Sequence, residues 1–442
     1  MPRLFGTDGV RGVANRQLTP ELALALGRAA GVVLAQSGPV VVGRDTRVSG
    51  SMLEGALVAG LCSAGTQVRL AGVIPTPGVA FLTIDERAAA GAMISASHNP
   101  VADNGIKFFS PQGVKLSAGA EEAIEEAIDS DSGTRPEGAA VGTALPIDDA
   151  LDRYVEHLMT VLTSPLAGLS VVLDCAFGAA HAAAPLAFKQ AGAEVLAINH
   201  APDGNRINVG CGSTAPEGLA KMVVAEGADL GLAFDGDADR VLAIDERGEL
   251  VDGDRIIALA ALKMHDAGEL ANNVVVSTVM ANLGFRHALQ ERGIDVIATP
   301  VGDRFVAEAM SEHGAVVGGE QSGHIIFAEH STTGDGVLTG LKVAEILAEG
   351  EAPLSKIAGI FETVPQVLIN VEVSATAGLD GAERIWQEVA RAEAALGVDG
   401  RVLLRPSGTE PVVRVMVEAA DEAIAAQLAA GLADVVKQEL DA

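Results

Sequence analysis

The sequence predicts an α/β protein: three similar α/β domains with mixed or parallel sheets, followed by a smaller C-terminal α+β domain. Three observations predict it. One strand–helix–Gly–strand–helix–strand unit recurs three times. Its strands are near-continuous apolar runs, the pattern of strands covered on both faces. Hydrophobic residues make up 49% of the chain but aromatics only 3%, so aliphatic side chains must fill the cores, which suits sheets covered by helices. At 442 residues the chain is too long for one core and suggests roughly three or four domains.

The first unit begins with V-V-V-G at Val40–Gly43 and continues through a helix over Met52–Ala64. A turn at Gly65, the strand T-Q-V-R-L, a helix after Pro77 and the strand A-M-I complete it. The second runs from S-V-V-L-D (Ser170–Asp174) through an Ala-rich helix to Ala191, Gly192, E-V-L-A-I and a later strand D-L-G-L-A-F. The third has N-V-V-V-S-T (Asn273–Thr278), a helix to Arg292, Gly293, I-D-V-I-A, a further helix and A-V-V-G. Glycine follows the helices where a left-handed cap is needed. From about Val367 the pattern changes to V-L-I-N-V-E-V, a helix around Trp386, two more strands and a last amphipathic helix. The expected domains are 1–150, 151–252, 253–366 and 367–442, with Asp129–Gly138 as a linker.

The 59 acidic residues against 30 basic ones give a formal charge of −29. Such a surface repels nucleic acid and anionic membranes, so neither is an expected partner. It also repels phosphorylated substrates, so a phosphate site must be built from locally clustered cations. Cys62, Cys175 and Cys211 are too few and scattered for a disulfide framework or zinc knot, and read as reduced thiols. The N-terminus lacks an apolar signal region, and the longest candidate span, near Glu21–Ala35, is cut by Arg28. A soluble cytoplasmic protein is expected.

Each unit ends in a loop of chemical character, at the carboxyl ends of strands where open α/β sheets bind ligands. D-G-D-A-D-R offers Asp235, Asp237 and Asp239 at alternate positions, which can converge on one hard cation such as Mg²⁺. An EF-hand competes for this reading, since Glu246 stands at its position 12. Arg240 occupies the position that needs glycine, however, and apolar strands flank the loop. S-A-S-H-N-P places Ser97 and His98 before a rigid Asn99-Pro100 turn, with Lys107 shortly after. A serine here is also what a helix or turn cap uses. As a hydrolase nucleophile it is disfavoured, because adjacent Ser and His rarely pair and no G-x-S-x-G elbow is present. G-E-Q-S-G-H offers Glu320 and Ser322 to sugar hydroxyls, a weak signal alone. R-P-S-G-T-E-P, with Arg414 after it, offers Arg405, the hydroxyls of Ser407 and Thr409, and backbone N–H groups around Gly408. That is a nest for phosphate, or a Pro/Gly hairpin.

The ordered set G-T-D-G-V-R-G, G-R-D-T-R-V-S-G, S-A-S-H-N-P, D-G-D-A-D-R, G-E-Q-S-G-H and R-P-S-G-T-E-P resembles the α-D-phosphohexomutases, from Phe5 to the end of the chain. The resemblance implies four domains around a central cleft, one motif in each. It implies that Ser97 carries a phosphoryl group, that Mg²⁺ is held by that phosphate and the three aspartates, and that a sugar 1,6-bisphosphate is intermediate and activator. It assigns catalysis to Ser97, His98, Lys107, Arg240 and Arg11, and binding of a small sugar phosphate to Glu320, Ser322, Arg405, Ser407, Gly408, Thr409 and Arg414. Within the family, the short N-terminus, Gln321 and P-D-G-N-R-I-N-V-G-C-G-S point to the branch acting on glucosamine 6- and 1-phosphates, which feeds UDP-N-acetylglucosamine and cell-wall precursors. The expected assembly is a monomer or homodimer. Ala238 replaces the commoner glycine of the metal loop, and T-P-V-G-D-R lacks a histidine seen in some phosphomannomutases, which weakens a dual glucose/mannose assignment.

Overall fold

The computed structural model describes residues 3–6, 8–34, 38–130, 135–376, 378–406 and 411–441. They group into two compact units, one of residues 1–278 with 297–359 and one of 279–296 with 360–442. Part of the expected linker, residues 131–134, lies outside the described residues.

The first unit contains three mixed sheets. The first has strands β1 (Val10–Val13), β2 (Val40–Arg44), β3 (Val68–Val73), β4 (Ala90–Ile94), β5 (Asp103–Phe109) and β6 (Ala144–Pro146), in the order β1-β5-β4-β2-β3-β6. The second has β7 (Ser170–Asp174), β8 (Glu194–Ile198), β9 (Leu230–Phe234), β10 (Val241–Ile244) and β11 (Leu250–Val251), in the order β11-β10-β9-β7-β8. The third has β12 (Val274–Thr278), β13 (Asp295–Thr299), β14 (Val317–Gly319) and β15 (Ile325–Phe327), in the order β13-β12-β14-β15. The apolar runs seen in the sequence form the parallel pairs β2/β4, β7/β9 and β12/β14. Each sheet then turns back on itself, pairing β4/β5, β9/β10 and β14/β15 antiparallel. All three chemical loops are the connections at those reversals, after Ile94, Phe234 and Gly319.

Packing follows from local sequence. The helix Pro20–Val33 starts where Thr19 accepts a hydrogen bond from Leu22 N and Pro20 supplies a preset φ. It lies against the helix Gly50–Ser63 through reciprocal glycines. A Cβ on Gly27 would stand 2.1 Å from Leu57 O, and one on Gly60 2.1 Å from Leu24 O. Leu26, Leu53, Leu57, Leu61 and Val42 fill the core beneath.

The second unit has the antiparallel sheet β16 (Gln366–Glu372), β17 (Arg401–Pro406) and β18 (Val412–Glu418), ordered β16-β18-β17. Helices Glu383–Leu396 and Glu422–Leu440 cover it, with Ile385, Val389, Val413, Val415, Val417 and Val436 in the core. Segment 279–296 joins this unit through specific bonds. Arg401 donates to Val279 O and Ala281 O, and Asn282 Nδ2 donates to Glu418 Oε1. No helix among the described residues is long and apolar enough to cross a membrane.

Candidate active site

The first two sheets bring Ser97 and the three aspartates together. Ser97 sits at φ 50 in the left-handed region, and its Oγ lies 2.5 Å from Asp235 Oδ2. Its carbonyl occupies space that any side chain at position 236 would need: a Cβ on Gly236 would stand 2.6 Å from Ser97 O. A glycine between the first two aspartates therefore lets the two loops touch.

Ser97 Oγ also lies 3.2 Å from His98 Nδ1, a contact between adjacent residues of the kind expected to be rare for a nucleophile and its base. With its one hydrogen directed at Asp235, Oγ can only accept from this nitrogen. Burial, with Arg240 and Arg11 nearby, pushes the His98 imidazole down to about 4, so the ring is neutral near pH 7.

Asp235, Asp237 and Asp239 are buried, each offering a carboxylate oxygen within 4.8 Å of the others. Thr76 Oγ1 and Lys107 Nζ approach Asp237 Oδ2 at 2.5 and 2.9 Å, and Lys107 reaches Asp239 Oδ2 at 3.3 Å. Burial and the like charges of Asp239 and Asp237 push the Asp235 carboxyl well above the usual range. Burial opposes charge on the other two as well, yet Lys107 holds Asp237 below its ordinary value. Lys107, His324 and Arg240 hold Asp239 well below. Burial alone would lower the Lys107 pKa, but Asp237 and Asp239 raise it.

Asp237 Oδ1 and Asp239 Oδ1 are buried without a hydrogen-bond partner among the described residues. Buried carboxylate oxygens without a hydrogen bond, in a cluster of like charges, are what a hard divalent cation would satisfy, so these residues fit a metal. Nearby cations also retain unused donors. Arg11 reaches Asp8 and, at 3.4 Å, Asn99 Oδ1, while the buried Nε atoms of Arg11 and Arg240 make no hydrogen bond among the described residues, that of Arg240 standing 3.8 Å from Asp239 Oδ1. These are donors for an anion. Glu246, the competing EF-hand ligand, is turned away to Ser355 N at 3.1 Å.

In the third sheet's loop, Glu320 Oε1 accepts from Gly302 N at 3.0 Å and Oε2 from Ser322 Oγ at 3.0 Å. Gln321 Nε2 lies 3.3 Å from Asp252 Oδ2 at the start of the helix Gly253–Ala267. His324 Nδ1 stands 3.8 Å from Asp239 Oδ1. In the second unit, Arg405 and Arg414 are direct cross-strand partners on β17 and β18. Ser407, Gly408 and Thr409 lie outside the described residues.

Comparison with known proteins matches the chain to four family models. Residues 2–135, 152–248 and 252–364 match phosphoglucomutase/phosphomannomutase alpha/beta/alpha domains I, II and III, and residues 368–435 match the C-terminal domain. A phosphoglucosamine mutase of Mycobacterium sp. (strain KMS) is 54% identical, covering 99% of this chain and 100% of its own. One of Moorella thermoacetica is 53% identical, covering 98% of each. The chain belongs to the phosphoglucomutase/phosphomannomutase family. Among solved structures, a family member from Burkholderia thailandensis superposes with TM-score 0.83 at 28% identity, over 99% of this chain and 97% of that one. An Aspergillus fumigatus N-acetylphosphoglucosamine mutase, in complex with GlcNAc-6P and magnesium, has TM-score 0.69 at 20% identity, over 99% and 96%, and shares the fold.

Sequence reasoning left Arg47 without a role, although it lies in a quoted family motif. Its guanidinium is buried and donates to Ser97 O at 2.9 Å, Asn99 O at 2.8 Å, Pro100 O at 2.6 Å and Asp103 O at 2.9 Å. Nε faces Asp45 Oδ2 at 3.0 Å. Asp45 also accepts from Ser95 Oγ at 2.7 Å, and that hydroxyl accepts from Ser97 N at 2.8 Å. Lys115, also unforeseen, bridges Asp8 and Asp303, the latter at 2.5 Å.

Proposed function

We propose that this chain interconverts glucosamine 6-phosphate and glucosamine 1-phosphate through a phosphoserine at Ser97 and a sugar 1,6-bisphosphate. The single observation that carries the reading is the 2.5 Å approach of Ser97 Oγ to Asp235 within the buried aspartate cluster. A pure binder needs no such hydroxyl. The sugar follows from the relatives above, two full-length phosphoglucosamine mutases more than half identical to this chain. A fungal N-acetylphosphoglucosamine mutase of the same fold has been solved with glucose1,6bisphosphate, which supports the intermediate.

Asp235, Asp237 and Asp239 would hold Mg²⁺ together with the Ser97 phosphate. The ion would neutralise charge developing on the transferring phosphoryl group. Arg11, Arg240 and Lys107 place further positive charge around Ser97 Oγ, where stabilisation of the transition state is needed. Neutral His98 donates from Nδ1 to Oγ and holds the hydroxyl in place, while the Oγ proton faces Asp235 Oδ2. Glu320 and Ser322 bind sugar hydroxyls. Arg405 and Arg414 bind the phosphate not being transferred, with Ser407, Gly408 and Thr409. Two like charges directly opposite each other in a sheet repel, and an anion removes that penalty. The four domains 1–150, 151–252, 253–366 and 367–442, a cytoplasmic location and a monomeric or homodimeric state belong to the same proposal.

The test is turnover with Mg²⁺ on matched glucosamine and glucose 1-phosphates. Preference for the amino sugar is expected. Equal or faster turnover of glucose 1-phosphate would move the chain to the glucose/mannose branch.

A further inference from the structure

We infer that Asn208 is a positioning residue for Ser97, fixing the nucleophile's backbone from the side of the second sheet. The inference rests on the phosphoserine reading above. Asn208 lies in P-D-G-N-R-I-N-V-G-C-G-S, a motif that the proposed chemistry leaves without a role. Its Nδ2 donates to Ser97 O at 2.8 Å and lies 3.5 Å from Asn99 O. This orientation is fixed chemically: turning the amide over would set its oxygen against two carbonyl oxygens. Oδ1, by contrast, is buried without a partner among the described residues. The side chain thus gives up its own acceptor to deliver a donor to the nucleophile's carbonyl.

The segment that carries Asn208 is built to hold it there. Asp174, at the end of β7, accepts from Ala176 N, Asn199 Nδ2 and Gly212 N at 3.0, 3.0 and 2.9 Å. Asn208 N in turn donates to Ala176 O at 3.1 Å. Four non-glycine residues around this carboxylate, Ala176, Phe177, Asn199 and Asn208, have left-handed φ of 51, 52, 47 and 60. Such a cluster persists only where its surroundings over-determine it. The strap is seated on the first sheet's G-R-D-T-R segment. Thr46 Oγ1 donates to Phe177 O at 2.6 Å, and a Cβ on Gly204 would stand 2.1 Å from Thr46 O. Arg206 stacks over the Phe177 ring at 4.0 Å.

Ser97 O therefore receives two donors from different sheets' loops, Arg47 Nη2 and Asn208 Nδ2. Arg47 fixes the Ser97 peptide within its own sheet's loops. Asn208 fixes it relative to the sheet that carries Asp235, which Ser97 Oγ faces. Because Oγ must return to one place in both halves of a phosphoryl exchange, loss of this tie slows chemistry more than it weakens substrate binding.

The test compares Asn208→Gly and Asn208→Asp with wild type. Glycine keeps the φ of 60 accessible and removes the amide. Aspartate keeps the shape but presents oxygen to the two carbonyls. Both variants should lower kcat about 10–100-fold, aspartate more than glycine, with KM within about twofold. The rate at which Ser97 takes phosphate from glucose 1,6-bisphosphate should fall in parallel, with the thermal midpoint of Asn208→Gly close to wild type. Wild-type kcat and Ser97 phosphorylation in both variants would overturn the inference. So would losses that only follow the folded fraction. A wild-type protein with no turnover on any hexose phosphate and no phosphate on Ser97 would instead overturn the phosphoserine reading, and this inference with it.

Discussion

Replacing Arg47 by methionine removes a buried side chain that ties four carbonyls of the Ser97 loop to the first sheet. In the wild type its guanidinium satisfies four carbonyl oxygens of residues 97–103 and faces Asp45. Methionine fills much of the volume but donates nothing. Breaking a buried ion pair by removing one partner costs about 3–5 kcal/mol. Individual charge-assisted bonds are worth about 1.5–3 kcal/mol but do not add, so the expected loss is about 5 kcal/mol. Protonation limits it: burial already pushes the Asp45 carboxyl up to about 6, with Arg47 as the main restraint. Without that restraint Asp45 takes up a proton near neutral pH instead of remaining an unpaired charge. Arg47→Met should therefore lower the urea midpoint strongly at pH 8 and less at pH 6, and adding Asp45→Asn should recover part of the loss at pH 8. Ser97 O also loses one of its two donors, and Asn99, Pro100 and Asp103 lose theirs from Arg47, so kcat should fall at least about 100-fold even where the protein is folded. A variant within about 1 kcal/mol of wild type, with unchanged kcat, would refute this account of the loop.

Other outcomes follow from the same geometry. Each of Asp235→Asn, Asp237→Asn and Asp239→Asn should lower kcat about 10²–10³-fold. Asp235→Asn should also raise the metal-free melting temperature, because it relieves a like-charge cluster, and excess chelator should abolish wild-type turnover. Arg405→Ala and Arg414→Ala should each reduce kcat/KM about 10–100-fold in both reaction directions, as steady-state kinetics would show. Burial pushes the Asp335 carboxyl up to about 6 from an ordinary 3.8. A raised acid pKa stabilises the fold below about pH 4 and loses that stabilisation as pH rises through about 6. The difference corresponds to about 3 kcal/mol. Asp335→Asn should abolish this decline between pH 4 and 6 in melting curves, while keeping a side-chain oxygen to accept from Leu338 N.

The parallel strands were legible because burial on both faces writes itself as an apolar run. The reversals were not. β5, β10 and β15 follow a chemical loop, and nothing in D-N-G-I-K-F-F or V-L-A-I says that the next strand runs antiparallel. The aspartate cluster was readable because alternate carboxylates on a loop have few other uses. Arg47 was not, since a buried arginine and an exposed one are the same letter until the carbonyls around it are known. The Ser97–His98 contact was not legible, since it forms at a serine with a left-handed φ that serine rarely adopts. Asn208 stood in a quoted motif, but its donor meets a residue 111 positions away, a distance that local pattern does not span.

The most direct measurement is phosphopeptide mapping of the purified chain after incubation with glucose 1,6-bisphosphate and Mg²⁺, with glucosamine 1-phosphate turnover followed in the same preparation. The account predicts one major phosphate, on Ser97, and loss of both that phosphate and turnover in Ser97→Ala. A principal phosphosite elsewhere, with Ser97→Ala still fully active, would contradict it.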